Sequence, residues 1–194
     1  MNRSALLVVD VQNDFCPGGA LAVTDGDKVI QPLNRMVELF GEKKERRFFS
    51  RDWHIRGAKH FETWPVHCIA GTPGAEFHPD LLVPKDAYII SKGYGNNDGY
   101  SPFEGLWLRE NDWPTLFQNL LPRVTDLYIG GLATDYCVKA ACLDARKLGY
   151  TVYLLTDACR VVNLKPTDEA DAIEEMRLAG VIFTTTDEVI AQSR

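Results

Sequence analysis

Residues 51–68, RDWHIRGAKHFETWPVHC, hold three of the four histidines in the chain, His54, His60 and His67, with Asp52 two positions ahead of the first. In an extended segment Asp52 and His54 point the same way, and the loop that follows can bring His60 and His67 round to them. One carboxylate and three imidazoles suit a divalent transition metal with coordination positions left for water or substrate. The spacing matches neither a zinc finger nor the helical H-E-x-x-H pattern. His78, in FHP, is read as structural. A second stretch, YIGGLATDYCVKAACLDA at 128–145, runs from a strand through Gly130 and Gly131 into a helix expected to begin near Thr134, so Cys137 falls in its first turn. Free N–H groups and the positive dipole end there favour a thiolate, and equally an oxyanion formed beside it. That is a nucleophile's position. Cys142 and Cys159 are read as small buried apolar residues, and Cys16 and Cys68 as ordinary loop thiols. Asp10, in LLVVDVQNDF, is a lone carboxylate at the end of a buried strand, where an unpaired charge is costly. Lys92, closing AYIISK, is its natural cationic partner. The pair is either architectural or a general base with the cation that holds it, and the candidate cysteine favours the second reading. Asp14 is read as a turn residue.

The elements that must position these groups alternate. Short aliphatic runs at ALLVVDV, RRFFS, AYIIS, DLYIGG, TVYLLT and VIFTT suit strands buried on both faces of a parallel sheet. Helical patterns lie between most of them, at about 27–42, 115–121, 135–148, 168–179 and 187–192. Gly149 and Gly180 stand where left-handed caps would end two of these helices. The fold class is α/β: an open, doubly wound, mostly parallel sheet of about six strands with helices on both faces, in one domain over residues 1–194. Such a sheet binds ligands outside the carboxyl ends of its strands. Residues 51–87 break the alternation with a segment rich in Pro, Gly, His and Trp. Trp53, Phe61, Trp64 and Phe77 need burial, so the segment is expected to be an ordered, functional loop at that end.

Composition narrows the partners. A net charge of -6 offers no basic patch for a nucleic-acid backbone or an anionic membrane surface, and a small neutral ligand fits better. No run approaches membrane-spanning length and no leader pattern precedes Ala5, so a cytoplasmic location is expected. Five cysteines without framework spacing read as reduced thiols. The oligomeric state stays open, a homo-oligomer included.

Taken together, VVDVQNDFCPGG, RDWH with the later histidines, WPVHCIAGTPGAEFHP, SKGY with YSPFEG, and GLATDYCVKA resemble the nicotinamidase/pyrazinamidase branch of the isochorismatase-like cysteine hydrolases over nearly the whole chain. The resemblance implies a triad of Asp10, Lys92 and Cys137 and one divalent metal, zinc ahead of iron or manganese, on Asp52, His54, His60 and His67. It also implies a cis peptide between Leu132 and Ala133, an oxyanion hole from the N–H groups of Ala133 and Cys137, and a ring pocket with Phe15, Trp64, Tyr100, Leu132 and Ala133. The implied reaction is deamidation of nicotinamide, and of pyrazinamide, in NAD salvage. Tyr136 stands where a histidine often precedes the nucleophile, and the loop SKGYGNNDGYSPFEG is one residue longer than in familiar members. The nearest rival is a related amidohydrolase for a maleamate, ureidoacrylate or carbamoyl substrate, whose members keep the cysteine triad but generally lack the metal ligands. A hydrolase or oxygenase working directly from the histidine site would leave Asp10 and Lys92 unexplained.

Overall fold

Ser4–Val9 (β1) alternates its buried side chains between two cores, and that decides its place in the middle of the sheet. Leu6 and Val8 face one core; Ala5, Leu7 and Val9 face the other. The structure, a computed structural model, describes residues 3–94, 99–108 and 113–193, so residues 95–98 of the long SKGY loop lie outside it. Among the described residues one sheet of eight strands forms. Arg46–Asp52 (β2), Tyr88–Lys92 (β3), Asp126–Leu132 (β6), Thr151–Arg160 (β7) and Ile182–Thr184 (β8) run parallel to β1. Leu106–Trp107 (β4) and Thr115–Leu116 (β5) add an antiparallel edge beyond β3. The spatial order is β5-β4-β3-β2-β1-β6-β7-β8. Connections from β1 wind one way and those from β6 the other, so the crevice between β1 and β6 is the switch point where such a sheet takes its ligand.

Helices cover both faces, as the buried strands require. Ile30–Glu42 (α1) lays Leu33, Met36, Val37 and Phe40 on the face of Leu6 and Val8, and Thr186–Gln192 (α4) adds Val189 there. Lys139–Lys147 (α2) and Asp168–Leu178 (α3) cover the other face through Ala141, Cys142, Ala145 and Met176. Full burial of each large apolar side chain contributes roughly 1.5–3 kcal/mol relative to exposure. None of the described helices is long and apolar enough to cross a membrane. Gly149 and Gly180 are left-handed at the ends of α2 and α3, as expected.

Three expectations need correction. The sheet has eight strands rather than six, because β4 and β5 are two residues each and too short to carry a periodic signal. The helix expected over Thr115–Leu121 is instead β5 followed by a single 3-10 turn, Phe117–Leu120. One buried aromatic decides that segment: Phe117 sits 5.0 Å from Phe48 and 4.8 Å from Phe103 between ring centroids, and so short a stretch cannot nucleate an α-helix. Finally, β7 continues past Thr156 to Arg160, where its polar end is held by ladder pairing to β6 rather than by hydrophobic pattern.

The β1/β6 crevice depends on close backbone approach. Gly131 has φ +135°, and a Cβ there would lie 2.0 Å from the Val9 carbonyl oxygen. Gly149 is also left-handed, but a Cβ there would meet open space. Gly131→Ala should therefore cost about 3 kcal/mol or more, while Gly149→Ala should cost only about 1 kcal/mol. Urea midpoints of the two variants check this, and equal midpoints would remove the constraint.

Candidate active site

Four strand ends deliver three charged groups and a thiol. Asp10 follows β1 with φ 51°, its N–H donating to the Ser50 carbonyl and its Oδ1 accepting from Ser50 Oγ at 2.7 Å. Asp52 and Lys92 close β2 and β3 and are register partners, so their side chains leave the sheet side by side. Cys137 lies five residues beyond the last residue of β6, on the far side of the switch point. Lys92 Nζ is fully buried among all three: it lies 2.9 Å from Asp10 Oδ2 and 3.4 Å from Cys137 Sγ, and it donates to Asp52 Oδ1. Burial alone would lower its pKa, but Asp10 and Asp52 outweigh it and keep the ammonium charged well above the usual lysine range.

The two carboxylates differ. Burial raises Asp10, with Asp52 adding and Lys92 opposing. Burial also works to raise Asp52, yet Lys92 and the neighbouring histidines together hold it well below the usual carboxylate range. Asp10 is therefore the better proton acceptor. Its Oδ2 pairs with Lys92 Nζ at 2.9 Å, and no other donor occupies it.

Cys137 departs from one expectation. Its segment, Thr134–Val138, winds as a single π-turn before α2, with the Ala133 carbonyl accepting from both Tyr136 and Val138. The helix-start placement predicted a stabilised thiolate. Burial instead pushes the thiol well above its usual value, Lys92 pulls it down, and Asp10 and Asp52 raise it further. At rest the thiol is protonated, with an Asp10 carboxylate oxygen within 4.8 Å of its sulfur. The Leu132–Ala133 peptide is cis.

Beside this cluster the structure brings His54, His60 and His67 together, all buried, with one ring nitrogen of each within 4.8 Å of the others. His54 and His60 stack at 4.5 Å. His54 Nδ1 faces the Gly93 carbonyl at 3.1 Å and His67 Nδ1 faces that of Pro65 at 2.7 Å. A carbonyl can only accept, so both Nδ1 atoms carry a proton, and in the neutral ring, the form that binds a metal, each Nε2 presents a lone pair. Those Nε2 atoms stand 3.6 and 3.8 Å from Asp52 Oδ2, acceptor against acceptor, and His54 Nε2 is buried without a hydrogen-bond partner. A cation held between these groups would satisfy that arrangement. It would also offset the single negative charge by which Asp10 and Asp52 together exceed Lys92 in a buried site. His78 lies apart, accepting at Nδ1 from the Asp80 N–H.

The two clusters share the wall of one largely apolar cleft with about 400 Å³ of empty space, part of it open to solvent. Phe15, Trp64, Tyr100, Leu132 and Ala133 all line it, together with Asp52, His60, His67 and Cys137. Trp64 Nε1 donates to the Tyr100 hydroxyl at 2.8 Å, which gives Tyr100 its place. Three lining residues went unread in the sequence, Leu21, Val23 and Val162, and Tyr136, noted there only as the residue before the nucleophile, lines the cleft as well. The signal for Leu21 and Val23 was apolar side chains inside a turn-rich stretch. Val162 carried none, since Asp135 holds it there by accepting the N–H groups of Val162 and Asn163 at 3.0 and 2.9 Å.

Residues 4–188 match the isochorismatase domain family. A nicotinamidase of Escherichia coli K12 is 38 % identical over 96 % of this chain and 97 % of its own length. The crystal structure of a pyrazinamidase of Pyrococcus horikoshii in complex with zinc superposes with TM-score 0.84 at 43 % identity, over 94 % of this chain and 99 % of that one. That of PnC1 from L. infantum in complex with nicotinate gives 0.84 at 29 % identity, over 96 % of this chain and 94 % of that one.

The charges around Cys137 make opposite predictions for two variants. Alkylation of Cys137 by iodoacetamide, followed by peptide mass spectrometry, should rise roughly tenfold per pH unit through pH 9 without a plateau. Asp10→Asn removes a charge that raises the thiol and should alkylate faster than wild type; Lys92→Met removes the one that lowers it and should alkylate slower. The reverse order would show that the thiol does not sense this cluster.

Proposed function

The chain belongs to the isochorismatase domain family, and from that premise we propose that it is a nicotinamidase, hydrolysing the carboxamide of nicotinamide, and of pyrazinamide, to the carboxylate and ammonia through a thioester on Cys137. The observation that carries this reading is the convergence on Cys137 Sγ: a protonated thiol on the wall of an aromatic cleft, 3.4 Å from Lys92 and within 4.8 Å of an Asp10 oxygen, beside a histidine cluster shaped for a metal. Relatives at 38 % and 43 % identity over nearly the whole chain, one of them solved with zinc, support it.

The steps follow from the geometry. Asp10 takes the thiol proton as sulfur adds to the carboxamide carbon, and Lys92 offsets the charge on both. The oxyanion so formed is held by the N–H groups of Ala133 and Cys137. The C–N bond breaks as Asp10 returns the proton to nitrogen, releasing ammonia. A water then loses a proton to Asp10 and adds to the thioester carbon; the C–S bond breaks, Asp10 returns its proton to the sulfur, and the acid released gives up its remaining proton to solvent as the carboxylate. Phe15, Trp64 and Tyr100 enclose the ring. Asp52, His54, His60 and His67 would hold one zinc ion, which when bound supplies a Lewis-acidic site for the pyridine nitrogen and so orients the ring. This role differs from zinc hydrolases, where the ion makes the nucleophile. Because the product is nicotinate, the enzyme serves pyridine nucleotide salvage.

Ammonia and nicotinate release from nicotinamide tests the reading. Cys137→Ala should lose about 10⁴-fold or more of the turnover, whereas Cys142→Ala, deep in the core, should stay within a few-fold. A Cys137→Ala enzyme with appreciable activity would end the thioester mechanism. Stripping the metal with a chelator should severely slow turnover while iodoacetamide still reaches Cys137; full turnover after stripping would reject the orienting role.

A further inference from the structure

We infer that Gln12 and Asp14, which take no part in the chemistry above, are the positioning residues of the metal centre, an inference that rests on the metal reading just given. The segment after β1 runs antiparallel to residues 76–78, with a bridge between Gln12 and Phe77, Asn13 N–H donating to the Glu76 carbonyl and His78 N–H to that of Val11. From this rail three consecutive side chains reach into the loop that carries the ligands.

Gln12 is fully buried and supplies what the sheet lacks. β1 ends at Val9, opposite Ser50, so on that side Asp52 has no neighbouring strand. The Gln12 amide takes its place: Oε1 accepts the Asp52 N–H at 2.7 Å and Nε2 donates to the Asp52 carbonyl at 2.8 Å. Nε2 also donates to the Ala75 carbonyl at 2.8 Å, tying the far end of the loop to the same point. Only a group with a donor and an acceptor on one plane does this, so glutamate would set an oxygen against two carbonyl oxygens.

Asp14 acts on the histidines. Its Oδ2 accepts the Cys68 N–H at 2.7 Å, and Oδ1 accepts that of Ala20 at 3.2 Å. Cys68 follows His67 directly, has φ 45°, and its carbonyl accepts the His54 N–H at 3.0 Å. One carboxylate thus sets the spacing between two metal ligands. Gly74 packs against it so closely that a Cβ would lie 2.2 Å from Oδ2. Asn13 adds a lighter brace, Nδ2 donating to the Pro73 carbonyl at 2.7 Å. Asp14 is therefore more than the turn residue its position suggests.

Zinc affinity of the chelator-stripped full chain, measured by competition with a chromophoric chelator, tests this, with thermal unfolding of the zinc-free protein alongside. Gln12→Met and Asp14→Ala should each bind zinc 10–100-fold more weakly than wild type. Asp14→Asn, which keeps an acceptor for Cys68, should recover most of the loss. A merely structural role would lower the zinc-free melting temperature and leave the affinity of the folded protein unchanged, and that result would overturn the inference. Should Gln12→Met fail to fold, the half-buried Asp14 pair decides the matter: wild-type affinity in Asp14→Ala would reject it. A wild-type chain that does not bind zinc would instead overturn the metal reading, and the inference with it.

Discussion

One buried ammonium organises this molecule. Removing a lysine from water is costly by several kcal/mol unless its charge is met at close range. Lys92 is met by Asp10, by Asp52 and by the Cys137 sulfur. Each comes from a different strand end, so the contact exists only if β1, β2, β3 and β6 are in register and in this spatial order. The same attraction that keeps the site charged therefore reports on whether the sheet is assembled. It also separates the carboxylates: Asp52 gives its oxygens to Lys92 and the histidine cluster and stays ionised, while Asp10 keeps a lone pair and a raised pKa.

That separation explains the chemistry the site can perform. A thiol beside two carboxylates is a poor spontaneous nucleophile, because burial and both negative charges favour its protonated form. It becomes reactive only when sulfur gains a bonding partner as Asp10 takes the proton. Solvent thiol reagents and oxidants, which need thiolate at rest, find little of it. Reactivity is thereby reserved for a substrate that the cleft has already aligned.

Alignment comes from the segment 51–87, which has little regular structure apart from short 3-10 turns at Lys59–Glu62 and Pro73–Ala75. Its order is imposed from outside by aromatic contacts and by side chains that bond its backbone. Asp52 joins this segment to the catalytic cluster, one oxygen toward Lys92 and the other toward His54 and His67. Displacing it would disturb both centres together.

Much of this was legible in the sequence. Buried strands of a parallel sheet are aliphatic on both faces, so the six longer strands, the α/β class and a site at their carboxyl ends could be read from pattern, charged residues closing such strands marked Asp10 and Lys92, and spacing to the histidines marked Asp52. Cysteine and histidine are rare enough here that their spacing drew attention to Cys137 and the loop. What the sequence could not show were features made by groups remote along the chain. The two short edge strands depend on packing of Phe117 rather than periodicity. The thiol's raised pKa depends on how deeply the π-turn sets it beside two carboxylates, which reverses the expectation from helix-start placement alone. Val162 enters the cleft because Asp135, 27 residues earlier, holds its N–H. Asp14 looks like turn chemistry, and Gln12 carries no signal, until residues 54 and 40 positions away are seen to bond them. Composition and period determine which elements form and where their charged ends lie. Proton affinity, cleft shape and ligand spacing are set by distances between those ends, and only the folded chain has them.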